Sequence, residues 1–127
     1  MASMDAGATP VVPWPRTRAE LLAEWHRVGQ LATVIQAEPV AEASRLSPEE
    51  RCLLGIWSAA RWTVGDLAVT PITGRVARPD VETALAELDA AERVLDARAT
   101  GWEFASGVER WLDWLIGAQD AVLYPAA

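Results

Sequence analysis

The chain has no lysine and no asparagine, and only one histidine, one cysteine, one phenylalanine and one tyrosine in 127 residues. Each shortage removes a class of function. A single cysteine, Cys52, excludes an internal disulfide and reads as a small buried core residue. With one His and one Cys, a structural zinc site is strongly disfavoured. Any Ser-His-Asp or Cys-His arrangement would have to use His26. Glu24 and His26 are two apart, so on a helix they point in different directions and do not form a zinc-binding pair. No Glu-x-x-His motif is present, so carboxylate-bridged metal bundles have no counterpart here. A phosphate-binding GxxxxGK[ST] loop is also missing. The residues therefore imply no cofactor, no metal and no assignable catalytic group.

Long apolar runs are missing too. None approaches the roughly 20 residues needed to span a bilayer. The opening Met-Ala-Ser-Met-Asp lacks a basic region followed by an apolar stretch, so the chain reads as cytoplasmic, with no membrane partner. All eleven basic residues are Arg, which together with the abundant Ala points to coding bias rather than function. The net charge of −7 would repel a phosphate backbone, which disfavours direct binding to nucleic acid.

What is present is apolar mass. Hydrophobic residues make up 51% of the chain, too many for disorder, and its length suits a single domain. The residues divide into an extended arm over 1–15 and one helical domain over 16–127. Pro10, Pro13 and Pro15 forbid a helix in the arm, and Val11, Val12 and Trp14 make its end sticky.

Four helices are expected. Thr17 with Glu20 forms a capping-box string, and Leu21, Trp25, Val28, Ala32 and Ile35 step along one seam until Pro39 ends the helix near Glu38. Gly29 beside that seam suits a close crossing. Ser47, Pro48 and Glu50 open a second helix, which Gly65 stops. That helix, apolar on more than one face, reads as the centre of the molecule. Asp80 caps a third, from about 80 to 98, with the stripe Val81, Ala84, Leu88, Ala91 and Leu95. Its Glu and Asp residues, Glu87 included, read as a solvated face. Ser106 and Glu109 form another capping-box string, which opens a fourth helix over about 107–123 after a connector at 102–105. The fold class is all-α, an antiparallel four-helix bundle with a proline-rich arm and a long loop between the second and third helices.

Two surfaces follow from this reading. Seven tryptophans against two other aromatics is the strongest compositional bias. Trp62 falls opposite Leu53, while Leu112, Trp114 and Ile116 widen the arc of the fourth helix beyond what a surface helix buries. Trp14, Trp62, Trp114, Leu112 and Ile116 are therefore the candidate interface. The loop over 66–79 is long for a bundle and carries Thr70, Thr73, Arg75 and Arg78, the candidate ligand or anion site. A short hairpin fits there, although no strong turn pair marks it.

The leading expectation is a non-enzymatic protein-interaction module, a small acidic accessory or adaptor subunit. It would act through a Trp-bearing helical surface, on a protein partner or as a homo-oligomer. One alternative is a small-molecule binder or enzyme with an inter-helix pocket closed by the loop. Another is an acidic inhibitor or immunity protein for a basic target.

Overall fold

The computed structural model describes residues 14–33, 46–120 and 122. The arm before Trp14, the expected helix end near Glu38 and the final residue of the expected fourth helix, Leu123, lie outside the described residues. Within them are four helices: α1 (Arg18–Leu31), α2 (Pro48–Thr63), α3 (Val81–Ala97) and α4 (Trp102–Leu115). Regular strands do not occur among the described residues, and no helix is long and apolar enough to cross a membrane. The all-helical bundle class read from the sequence holds.

Three helix starts form as their side chains dictate. Thr17 accepts from the Glu20 N–H at 3.0 Å, and Glu20 accepts from the Thr17 N–H at 2.8 Å. Ser47 and Glu50 repeat the exchange at 3.1 and 2.8 Å, with Pro48 in the first turn. Asp80 accepts from the Thr83 N–H at 2.7 Å. Each satisfies donors that a helix end leaves open. The hydrogen bond from the Thr17 N–H holds the Glu20 carboxyl below its ordinary range, and that from the Thr83 N–H does the same for Asp80.

The fourth start is a correction. α4 begins at Trp102, with Gly101 as its N-cap in the left-handed conformation and no side-chain cap. It ends at Leu115, and Gly117 follows at φ +87°. The Ser106–Glu109 string lies inside the helix, and the expected connector is its first turn. The chain has already turned at Arg98, which adopts the left-handed conformation that closes α3, and at Gly101. A capping-box spelling confers nothing once the backbone is helical on both sides of it.

The core is organised on the pair α2 and α4. Their contacts advance together along both helices. Arg51 pairs with Glu103, Gly107 sits against Cys52 and Ile56, and Trp111 bonds to Thr63. The two therefore run in the same general sense, with their N-termini adjacent. Side-by-side neighbours in an alternating bundle run antiparallel; here the closest pair does not. Two glycines permit it. A β-carbon on Gly55 would lie within 3.0 Å of the Phe104 carbonyl, and one on Gly107 within 3.0 Å of the Cys52 carbonyl. Backbone meets backbone at both points, so neither side can yield.

Around this crossing, Ile56, Ala59, Ala60, Val108, Trp111, Leu112 and Leu115 are almost fully buried. α3 packs on α4 after the tight turn, and α1 packs on α2. At the α1–α2 contact Trp25 stacks on Trp57, with centroids 4.4 Å apart and planes 15° from parallel. Gly29 makes room for the far edge of Trp57, as a close crossing requires.

Replacing Gly55 by Ala should remove about 3 kcal/mol or more of stability, or prevent folding, because the new methyl would meet the α4 backbone, which cannot turn aside as a side chain could. Gly65→Ala, at φ +85° in open space, should cost only about 1 kcal/mol. Denaturant unfolding followed by circular dichroism compares the two. Equal losses would show that the crossing is not tight.

Candidate functional site

The segment 66–79 forms an ordered hairpin-like loop. Val69 and Val76 form an antiparallel bridge. The Thr70 N–H donates to the Arg75 carbonyl at 2.9 Å, and the Ala77 N–H to the Ala68 carbonyl at 3.3 Å. The β-branched residues that resist a helix here supply the extended backbone instead. Gly74, at φ +69°, supplies the left-handed residue of the turn.

Two buried side chains fix this loop to the helices. The Trp62 indole N–H donates to the Ala77 carbonyl at 3.0 Å. Glu87 of α3 accepts three bonds: from the Ile72 N–H at 2.7 Å, the Thr73 N–H at 3.1 Å and the Thr73 hydroxyl at 2.6 Å. With its proton committed to Glu87, the Thr73 oxygen must accept from the Thr70 hydroxyl, 3.0 Å away. The Thr70 oxygen in turn accepts from the Arg75 N–H at 3.2 Å. The donors thus run in one direction, Arg75 to Thr70 to Thr73 to the carboxylate. Glu87 is fully buried, so the expectation of a solvated position is corrected. Thr83, Glu87 and Ala90 are buried while Leu85 is 47% exposed. The buried arc of α3 is turned toward the loop, which covers it.

The candidate anion loop divides in two. Thr70 is buried and donates its hydroxyl proton to Thr73, while the exposed Thr73 donates its own to Glu87, so both hydroxyl protons are already committed within the chain. Arg75 and Arg78 are exposed and form no ion pair among the described residues. The four do not converge on one ligand position. The outer face of the loop is apolar instead. Val76 is 82% exposed and Val69 is 41% exposed. A shallow groove of about 410 Å³ runs beside them, lined by Leu67, Ala68, Val76, Ala77, Arg78 and Pro79 among others.

The candidate tryptophan interface is corrected more fully. Trp14, Trp62, Trp114 and Leu112 are buried within one protomer, and Ile116 is half-buried. Trp62 leaves the α2–α4 seam but meets the loop, whose Ala77 satisfies its N–H. Trp111 finds the Thr63 hydroxyl at 3.0 Å. Trp114 packs tilted against Trp111 at 5.1 Å and lies under the Arg16 guanidinium at 4.8 Å. Arg16 also donates to the Trp114 carbonyl at 2.7 Å and to the Gln119 carbonyl, covering the open carbonyls at the end of α4. Trp14 joins the core beside this clamp. Sequence reasoning missed it because Arg16 and Trp114 are 98 residues apart.

Two further features lie away from the loop. A small cleft of about 160 Å³ opens where the N-termini of α2 and α4 meet, lined by Pro48, Glu49, Cys52, Trp102, Ser106 and Arg110 among others. Burial pushes the Cys52 thiol up, which makes it a poor nucleophile. This cleft lies at the end of α2 opposite the loop, so the loop does not close it. On the other side of α4, Glu109 and Asp113 face Glu92 and Asp96 of α3. Burial, and then the neighbouring carboxylates, raise both Glu109 and Asp113. Neither has an ion-pair partner among the described residues, and the four form no metal-holding group there. His26 is exposed on α1 and belongs to none of these sites.

No family model, no curated protein and no solved structure matches this chain.

Removing the Glu87 carboxylate leaves the Ile72 and Thr73 N–H groups without their acceptor. Glu87→Ala should cost about 2–4 kcal/mol and strip both amides of exchange protection. Unchanged protection at those amides would show that the loop is held otherwise.

The acidic cluster between α3 and α4 gives a pH test. A carboxyl raised in the folded chain binds its proton more tightly there than when unfolded, so its ionisation costs stability as pH rises past the ordinary carboxylate range. Glu109→Gln should therefore raise Tm at neutral pH by about 1–3 °C. The gain should vanish in acid, where Glu109 is already neutral. A gain of the same size at both pH values would place its cause outside this carboxyl.

Proposed function

We propose that this chain is a non-enzymatic protein-interaction module, a small acidic accessory subunit, whose contact element is the apolar outer face of the 66–79 loop. The observation that carries the proposal is Val76, 82% exposed on a loop whose inner side is fixed by Glu87 and Trp62. Internal packing does not account for a bare β-branched side chain there. Burying it against a partner would contribute about 1.5–2 kcal/mol. A loop already ordered loses little conformational entropy on binding, so most of that gain is retained. Val69, across the bridge, and the neighbouring groove extend the patch. The partner on this reading is another protein or a second copy of the chain.

A second reading has its own support. Glu92, Asp96, Glu109 and Asp113 lie together as a cluster of like charge, two of them half-buried and only Glu109 eased by Arg110, that a cationic partner would neutralise. This is the arrangement of an inhibitor that covers a basic target. The two readings differ in salt dependence: weak for the valine face, strong for the acidic cluster.

A photo-crosslinking residue placed at Val76, with a control at the exposed Glu82, tests the first reading. The expected result is an adduct, to a partner or to a second copy, from position 76 and not from 82. A strictly monomeric protein that gives no adduct at 76 in extract of its source cells would overturn it.

A further inference from the structure

We infer that the partner of this loop is an extended, acidic segment that adds to its Val76–Arg78 edge as a third strand. The inference rests on the interaction-module reading above and adds the chemistry of the partner.

The hydrogen-bond pattern carries the first half. Thr70 bonds to Arg75 and Ala77 to Ala68, which makes Val69 and Val76 a pair that does not exchange bonds. The N–H and C=O of Val76 therefore point away from the partner strand. By the alternation of an extended backbone, so do those of Arg78. None of these four groups has a main-chain partner among the described residues. The groups of the intervening Ala77 are used inward, its N–H by Ala68 and its carbonyl by Trp62. The other edge is less open, because the Leu67 N–H turns back to the Arg61 carbonyl at 3.2 Å. A chain laid along residues 76–78 would exchange main-chain bonds at alternate residues, the way a peptide extends a sheet edge. The next outward residue by the same alternation, Asp80, has its carbonyl committed to the Ala84 N–H as α3 begins, which limits the ladder to that length.

Charge carries the second half. The protein has a net charge of −7, yet the two cations flanking this edge, Arg75 and Arg78, are exposed and form no ion pair among the described residues, Arg75 acting on Asp80 only at longer range. Arg78 lines the same groove as Val76. On the added strand an apolar side chain opposite Val76 would cover it, a carboxylate two residues along would meet Arg78 on the same face, and a carboxylate next to the apolar residue would meet Arg75 on the other face. An incoming basic strand would meet the same two arginines as repulsion.

The test is a display library of short random peptides selected on the full chain, followed by binding of the synthetic winners by fluorescence anisotropy. Peptides with an apolar side chain and an Asp or Glu two positions from it, on one face of an extended chain, support the inference. Their binding should fall by about tenfold or more in Val76→Asp and in Arg78→Glu. Lysine-substituted peptides should recover binding to Arg78→Glu. Circular dichroism of both exposed-site variants checks that the fold is intact. Winners that need Val76 but carry no carboxylate, or that show helical spacing, would overturn the acidic strand and leave the interaction-module reading in place. Failure to select any Val76-dependent peptide would also overturn it, and the crosslink at position 76 then decides whether the broader reading survives.

Discussion

Everything in this molecule depends on how closely the α2 and α4 backbones approach each other. Gly55 faces the Phe104 carbonyl and Gly107 faces the Cys52 carbonyl, each with no space for a β-carbon. Helices held apart by ordinary side chains stand about 8–10 Å apart, with a seam of large residues between them. Here two small residues bring the main chains together and displace the large side chains to the flanks of the seam. Trp62 and Trp111 occupy those flanks, one toward the loop and one toward the Thr63 hydroxyl. Close approach and indole burial are thus two results of one arrangement.

Burying an indole creates an obligation for its N–H, and burying a loop creates several more. The structure meets both with few groups. Thr63 accepts from Trp111 while donating to the Ala59 carbonyl at 2.8 Å. Ala77 accepts from Trp62. Glu87 takes the loop donors that helix geometry cannot reach. A fully buried carboxylate is expensive unless several donors meet it, and three do. The consequence is a loop whose inner face is anchored to two helices while its outer face is left to solvent. Fixing one side determines which side chains, Val69 and Val76, remain outside.

Helix starts were readable in the sequence where their chemistry is local. Thr17, Ser47 and Asp80 each act on an N–H three residues on, so the string alone suffices. Ser106 shows the limit of that logic, because the same spelling is silent within a helix. The bundle class was readable from the stripes of α2, α3 and α4. What could not be read was any property set by distant partners. Gly107 looked like the residue after a cap and is a crossing point with Cys52. Glu87 looked like one acid among many on α3 and is the anchor of a loop some fourteen residues earlier. One faint signal existed: Glu87 lies three residues after Ala84 and four before Ala91, within reach of the buried side.

The excess of apolar helix surface that suggested a tryptophan interface was real as a count but misjudged as a geometry. A helical projection assigns every side chain a direction and takes each direction outside the seam to be solvent. In this chain the loop occupies one such direction, over Trp62, and the Trp14–Arg16 strap occupies another, over Trp114. Segments outside the helices therefore cover what the helices expose to one another's flanks. Apolar groups left in water among the described residues then belong largely to the covering segments and outer faces: Val69 and Val76 on the loop, Leu22 and Leu31 on α1, Leu85 on α3 and Trp102 at the start of α4, under the Arg98 guanidinium. Among the described residues, the loop valines combine open main-chain hydrogen-bonding groups with arginines that form no ion pair there. An isolated leucine on a helix offers a partner area alone, whereas this edge offers area, direction and charge together. That combination is what separates a recognition surface from the ordinary apolar background of a small protein.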